Sequence, residues 1–129
     1  MGHRLNVFLI EDSPLLRAQL IETLEDLEGI HVVGHAEDEA TAIARLAANP
    51  ADLTIVDLEL KSGSGIGVLR ALKDEPSRFH YTWAVVLTTH SHPAVRQRCT
   101  QLGARAFFDK AMQMDELIDY VAAAQRTAG

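Results

Sequence analysis

Apolar residues follow two alternating patterns along the chain, which together predict five strands and five helices. Short, mainly apolar runs, typical of buried strands, occupy residues 5–10, 30–34, 53–56, 83–87 and 104–108. Apolar residues recur at helical spacing in the segments 14–28, 38–48, 66–75, 93–102 and from 114 onward. The segment 76–81 fits neither pattern and is predicted to form a loop.

Residues at the segment boundaries support this division. Ser13 followed by Pro14 is typical of a helix start, and Gly29 and Gly103 are typical of helix ends. Regular alternation of apolar strands and helices favours an α/β fold, in which a parallel sheet is covered by helices on both faces. A chain of 129 residues can build one hydrophobic core, so residues 1–129 are predicted to form a single domain.

The composition narrows the classes of function. The net charge is −6 and only 12 residues are Lys or Arg, without a basic cluster, so this chain alone is not expected to bind nucleic acid. No apolar stretch is long enough to span a membrane. The single cysteine, Cys99, cannot form an internal disulfide, which fits a reducing cytoplasm.

Polar residues that follow the predicted strands are candidates for a functional site, because ligands of open α/β sheets bind beyond the carboxyl ends of the strands. These residues are Glu11, Asp12, Asp57, Thr88, Thr89, Asp109 and Lys110. Each has an ordinary explanation, such as helix capping by Asp12 or a solvated position for Lys110. If they meet at one edge, the carboxylates would suit Mg²⁺, and the hydroxyl and ammonium groups would suit phosphoryl transfer.

Two further motifs have weaker functional interpretations. Gly63, Gly65 and Gly67 suggest a phosphate-binding loop, but their spacing fits neither the G-x-G-x-x-G fingerprint nor a Walker loop. We therefore predict that they form the turn into the third helix. His90 and His92 lack further ligands at zinc-binding spacing, so His90 is predicted to line the rim of the strand-end site.

The strand-end residues and their spacing make the sequence resemble the receiver domain of two-component response regulators. The resemblance covers about residues 5–125. Asp57 matches the phosphoacceptor of that family, Thr88 its hydroxyl position and Lys110 its lysine. Further matches are the acid pair Glu11 and Asp12, with Gly65, Gly103, Ala104 and Phe107. The resemblance implies a CheY-like, flavodoxin-like sheet with strand order 2-1-3-4-5.

The resemblance implies a phosphorylatable switch and not an enzyme. Asp57 would accept a phosphoryl group from a sensor histidine kinase or a phosphotransfer protein, and Thr88 and Lys110 would contact the phosphoryl oxygens. The implied Mg²⁺ ligands are Glu11, Asp12, Asp57 and the backbone carbonyl of Glu59.

The implied output is a change of surface. Phosphorylation would draw Thr88 inward, and Phe107 would follow into the vacated space. The surface formed by helix four, strand five and helix five would then change and bind a downstream protein or a second copy of the chain. The polar face of helix four, which includes Arg96, is predicted to be solvated unless a partner covers it.

Four positions depart from the family pattern. Lys61 stands where proline is frequent, which predicts a less rigid loop after Asp57. Ala111 also replaces a common proline, and because a non-proline cis bond costs ~3 kcal/mol, the cis peptide of the family is left open here. Thr89 is bulkier than usual and belongs to the predicted rim of the site, while Phe107 lacks the phenol of a tyrosine.

Two alternatives remain from the sequence. The chain could be the receiver part of a longer DNA-binding transcription regulator, whose DNA-binding residues would lie outside this sequence. It could instead be a Mg²⁺-dependent aspartyl-phosphate phosphatase or phosphotransferase of haloacid-dehalogenase type. That second class places its nucleophilic aspartate on the first strand, whereas Asp57 follows the third predicted strand.

Overall fold

The computed structural model describes residues 4–127 and confirms the predicted α/β fold. Five parallel strands pair in the order β2-β1-β3-β4-β5. The strands are Leu5–Ile10 (β1), Ile30–Ala36 (β2), Leu53–Val56 (β3), Trp83–Thr88 (β4) and Ala106–Asp109 (β5). The helices are Pro14–Glu25 (α1), Glu39–Ala48 (α2), Gly65–Asp74 (α3), Pro93–Gln101 (α4) and Met114–Thr127 (α5).

Two apolar layers, one on each face of the sheet, form the core. Alternate residues of a strand point to opposite faces, so in β1 Leu9 joins one layer and Ile10 the other. Helices α1 and α5 cover the layer that contains Leu9, and α2, α3 and α4 cover the other. The central strands β1, β3 and β4 are buried on both faces along most of their length, which explains why they appear in the sequence as mainly apolar runs.

Side-chain caps start the helices directly after the strand ends. The Ser13 hydroxyl accepts a hydrogen bond from the Leu16 amide at 3.2 Å, with Pro14 in the first turn. Asp38 caps α2 through the Thr41 amide at 2.8 Å. Because these caps end each loop within a few residues, the side chains that follow β1 and β2 stay near the edge of the sheet.

The segment 76–81 differs from the prediction. Pro76–Phe79 forms a 3₁₀ turn, and Phe79 is 1% exposed within the core layer below α2, α3 and α4. A single apolar residue in a polar window has no periodicity, so its burial could not be read from the pattern. The strands also differ by one or two residues, since β2 continues to Ala36 and β5 begins at Ala106.

No helix within residues 4–127 has both the length and the apolar character needed to cross a bilayer.

Candidate functional site

Three carboxylates meet at the carboxyl edge of the sheet. Because Ile10 pairs with Val56, the residues that follow β1 and β3 lie side by side, and the Asp57 amide donates to the Ile10 carbonyl at 3.0 Å. Glu11, Asp12 and Asp57 each offer an oxygen within 4.8 Å of the others. Glu11 and Asp57 are buried, and Asp12 is half-buried.

One cation enters this group from the loop after β5. The Lys110 ammonium lies 2.7 Å from Oε1 of Glu11 and 2.8 Å from Oδ2 of Asp57. The Lys110 amide donates to the Thr88 carbonyl at 2.9 Å, which holds the start of this loop beside the end of β4. Three carboxylates and one ammonium, if all ionised, leave an excess negative charge that a hard divalent cation would neutralise, so the donor set suits Mg²⁺.

Burial and ion pairing act in opposite directions on the two buried carboxyl groups. Burial raises the pKa of Glu11 and of Asp57 above their ordinary values, although hydrogen bonding to Lys110 partly opposes this rise. For Lys110, burial alone would lower the pKa, but its bonds to Asp57 and Glu11 raise it overall. Lys110 is therefore charged at neutral pH, whereas the two carboxyl groups release their protons at higher pH than exposed carboxyl groups do.

The raised pKa of Asp57 predicts the sign of a pH effect on stability. The unfolded chain releases this proton at about pH 4, whereas the folded protein, with its raised pKa, releases it only at higher pH, so the free energy of unfolding should fall as pH rises. We expect wild type to lose stability relative to Asp57→Asn between about pH 4.5 and about pH 7.5 in EDTA. Urea unfolding of both proteins measures this, and subtracting the two free energies cancels the titrating groups that do not interact with Asp57. A constant difference would contradict the prediction.

The loop after β3 presents Asp57 through contacts with its own backbone. The Glu59 amide donates to Oδ1 of Asp57 at 3.2 Å, and the Gly65 amide donates to the Leu58 carbonyl at 3.0 Å. A Cβ atom at Gly65 would overlap the Asp57 carbonyl oxygen and lie 2.8 Å from the Leu58 Cα. Glycine at position 65 is therefore required by the close approach of two backbone segments.

The loop after β4 forms the opposite rim. Thr88 is fully buried, and its hydroxyl accepts a hydrogen bond from the His90 amide at 3.2 Å. Thr89 and His90 are exposed, and Nε2 of His90 contacts the Glu59 carboxylate across the site. His90 thus has a carboxylate partner, and among residues 4–127 the site carboxylates form the only potential metal-binding group of three or more.

Phe107 lies in β5 and is 8% exposed. The Arg96 guanidinium of α4 lies over its ring at 5.3 Å and donates to its backbone carbonyl at 3.3 Å. The sequence predicted a solvated face of α4. Arg96 is exposed, but it also packs its planar guanidinium group on the Phe107 ring, which the prediction did not include. No sequence pattern indicated this contact.

The segment after Lys110 contains no cis peptide, and the same holds throughout residues 4–127. Here the Asp109 carboxylate accepts hydrogen bonds from the Ala111 and Met112 amides at 2.8 and 3.2 Å. These bonds organise the turn that delivers Lys110 to the site without proline at position 111.

Comparison with known proteins defines the class. A family profile described as "Response regulator receiver domain" matches residues 7–122. The chain belongs to the response regulator receiver domain family, the receiver component of two-component signalling.

Individual relatives refine this assignment. "Response regulator UvrY" of Escherichia coli (strain K12) is 28% identical over 117 residues, which are 91% of this chain and 52% of that protein. The chain thus spans about half the length of this curated relative. Two solved structures of RcsB from Salmonella enterica serovar Typhimurium are also similar. Its isolated receiver domain, studied with the phosphomimetic BeF₃⁻, has a TM-score of 0.84 and 27% identity, with 97% of this chain and 91% of that chain covered. RcsB bound to promoter rprA has a TM-score of 0.82 and 26% identity, with 93% and 67% covered.

Proposed function

We propose that this receiver domain, spanning residues 1–129, is a cytoplasmic switch phosphorylated on Asp57. The observation that supports this most strongly is the position of Asp57, a buried carboxylate with two acidic neighbours and one ammonium at the carboxyl edge of the sheet. The phosphoryl donor would be a sensor histidine kinase or a phosphotransfer protein. We propose no turnover of a separate substrate beyond self-phosphorylation and autodephosphorylation.

In the proposed reaction, a carboxylate oxygen of Asp57 attacks the phosphorus of a phosphohistidine. The P–N bond breaks, the imidazole leaves with the electron pair, and the new P–O bond makes an acyl phosphate. Lys110, already 2.8 Å from Asp57, would neutralise charge on the phosphoryl oxygens. The hydroxyl of Thr88 would donate to one of these oxygens once it turns from the His90 amide.

The acidic group would hold Mg²⁺ through Glu11, Asp12, Asp57 and the Glu59 carbonyl. When bound, this cation would neutralise negative charge that builds up on the transferring phosphoryl group. The role of the chain is to keep the carboxylates together despite their mutual repulsion. Lys110 contributes to this before any phosphoryl group arrives.

Intact-mass analysis after incubation with acetyl phosphate and Mg²⁺ tests the proposal. Wild type should gain one hydroxylamine-labile phosphoryl group, and Asp57→Asn should gain none, because an amide cannot form the acyl phosphate. The conservative control Asp52→Asn, distant in the fold at the start of β3, should be modified like wild type. An adduct that persists in Asp57→Asn would refute the assignment.

Thr89 is proposed to restrict access of water to the acyl phosphate, because it is exposed at the rim directly after Thr88. Thr89→Ala should speed autodephosphorylation by roughly two- to threefold, a barrier change of less than about 1 kcal/mol. Release of phosphate from the purified phosphoprotein measures the rate. Thr100→Ala, a substitution at an exposed site on α4, is the control, and equal rates for Thr89→Ala and wild type would exclude this role.

The output is proposed to pass through Thr88 and Phe107 to the surface of α4, β5 and α5. Movement of Phe107 would break or remodel its contacts with Arg96, so a change inside β5 would reach the exposed face of α4. A downstream protein would bind this surface, and a homodimer through it is the second form of output.

A second candidate function is the receiver part of a longer DNA-binding regulator. It is favoured by the partial coverage of UvrY and by the RcsB relative that was solved on promoter DNA. DNA contact would then require residues outside this sequence, since the chain carries a net charge of −6. Electrophoretic mobility shift with this chain alone should show no DNA binding, phosphorylated or not.

A further inference from the structure

The glycine-rich loop surrounds a carboxylate of the protein itself. Oε1 of Glu39, the first residue of α2, accepts a hydrogen bond from the Ser64 amide at 2.9 Å. A Cβ atom at Gly67 would overlap the Glu39 carboxylate, and the three atoms it would meet first all belong to Glu39. A Cβ atom at Gly63 would also collide with the Glu39 side chain. The small residues thus leave room for an anion, and the anion is Glu39.

Backbone hydrogen bonds join the same two loops. The Glu39 amide donates to the Ser62 carbonyl at 3.0 Å, and the Lys61 amide donates to the Glu37 carbonyl at 3.1 Å. The turn between β2 and α2 therefore runs beside the loop between β3 and α3. Lys61, which replaces a proline frequent in the family, has its amide hydrogen-bonded here, which a proline could not do.

Ser64 connects Glu39 to the phosphorylation site. Ser64 forms an isolated antiparallel bridge with Glu59, the residue whose carbonyl is proposed to face Mg²⁺. The Glu59 amide in turn donates to Oδ1 of Asp57 at 3.2 Å. Glu39 is thus linked through one side-chain hydrogen bond and one backbone bridge to Glu59, whose amide contacts the phosphoacceptor.

The charge of Glu39 suits this position. Ser64 is the N-cap of α3, a helix of 10 residues, and a carboxylate at a helix N-terminus interacts favourably with the free amides and the helix dipole. The Ser64 hydroxyl already accepts the Gly67 amide at 3.2 Å, so Glu39 takes up a second amide of the same helix start.

We propose that Glu39 is a positioning residue for the phosphorylation site, holding Ser64 so that the Glu59 carbonyl and Asp57 keep the geometry needed for Mg²⁺ and phosphoryl transfer. This inference rests on the proposed function of Asp57 and goes beyond it, because Glu39 belongs to a different loop and does not join the acidic group.

Two substitutions remove the contact by independent routes. Glu39→Ala deletes the carboxylate, and Gly67→Ala displaces it while favouring helix α3 through the higher helix propensity of alanine. A role in positioning predicts that both weaken Mg²⁺ binding, by about tenfold as is usual for residues that orient metal ligands. Since both act on one contact, the double variant should bind Mg²⁺ no more weakly than either single variant.

The experiment measures the Mg²⁺ dissociation constant by calorimetry and the phosphorylation rate with acetyl phosphate, below the melting temperature of each variant. Glu39→Gln should recover most of the affinity, because its amide oxygen can accept the same hydrogen bond from Ser64. Glu22→Ala, which removes an exposed carboxylate from α1, is the matched charge control and should equal wild type.

Wild-type Mg²⁺ affinity in Glu39→Ala, or additive losses in the double variant with Gly67→Ala, would overturn the inference. A loss of thermal stability without a change in Mg²⁺ affinity would also overturn it, since that is the result of a purely structural role. If wild type binds Mg²⁺ but gains no phosphoryl group, the proposed function of Asp57 fails, and the Mg²⁺ titrations still decide the role of Glu39.

Discussion

Lys110→Met is expected to destabilise the protein at neutral pH and to abolish efficient phosphorylation. The ammonium is the cation held within 3 Å of the buried Glu11 and Asp57 carboxylates, and methionine has a similar length without charge. We expect a loss of about 2–3 kcal/mol in the free energy of unfolding, somewhat less than for breaking a fully buried ion pair, because Lys110 keeps some exposure to solvent.

The pH dependence separates lost charge pairing from lost packing in Lys110→Met. With no ammonium nearby, the pKa of Asp57 and of Glu11 should rise further, so the deficit should shrink as pH falls toward about 5 and the carboxyl groups bind protons. Urea unfolding in EDTA measures this. Lys61→Met is the control, since Lys61 is exposed and pairs with Glu37 on the surface, and this substitution should change stability by less than about 0.5 kcal/mol. If Lys110→Met loses the same unfolding free energy at neutral pH as at about pH 5, the substitution has removed packing contacts and not charge pairing.

Gly65→Ala is expected to have the second large effect. The added methyl group would overlap the Asp57 carbonyl and crowd the Leu58 Cα, so relief requires movement of the backbone that carries the phosphoacceptor. Overpacking of this kind costs about 3 kcal/mol when the backbone must shift. We expect that loss of unfolding free energy, and a much smaller yield of phosphorylated protein with acetyl phosphate.

Gly67→Ala is the matched control for this stability effect. It adds the same methyl group two residues later, but the group meets only the end of the flexible Glu39 side chain, which can move aside. The stability change should stay within about 1 kcal/mol, because lost contacts with Glu39 and gained helix propensity oppose each other. If Gly65→Ala and Gly67→Ala unfold at the same denaturant concentration, backbone overlap is not what selects glycine at position 65.

Much of the fold was predictable because its signals are local. A strand that is buried on both faces needs a mainly apolar run of residues, and the runs at 5–10 and 53–56 coincide with β1 and β3. Ser13 followed by Pro14 caps α1 as predicted. The burial of Phe79 was missed, because the environment of a single apolar residue depends on the elements around it and not on its neighbours in sequence.

The sequence and the tertiary structure also contributed differently to the candidate site. The sequence by itself determined which polar side chains follow the strands, and the pairing of β1 with β3, which the resemblance implied, brings Asp57 beside Glu11 and Asp12. Only the tertiary structure decided which loops touch, since a contact such as Glu39 with Ser64 depends on how two crossovers pack against each other. The glycines near Asp57 therefore look like a phosphate loop in the sequence, whereas in the folded protein Gly63 and Gly67 leave space for the carboxylate of Glu39, and Gly65 leaves space for the backbone of Asp57 and Leu58.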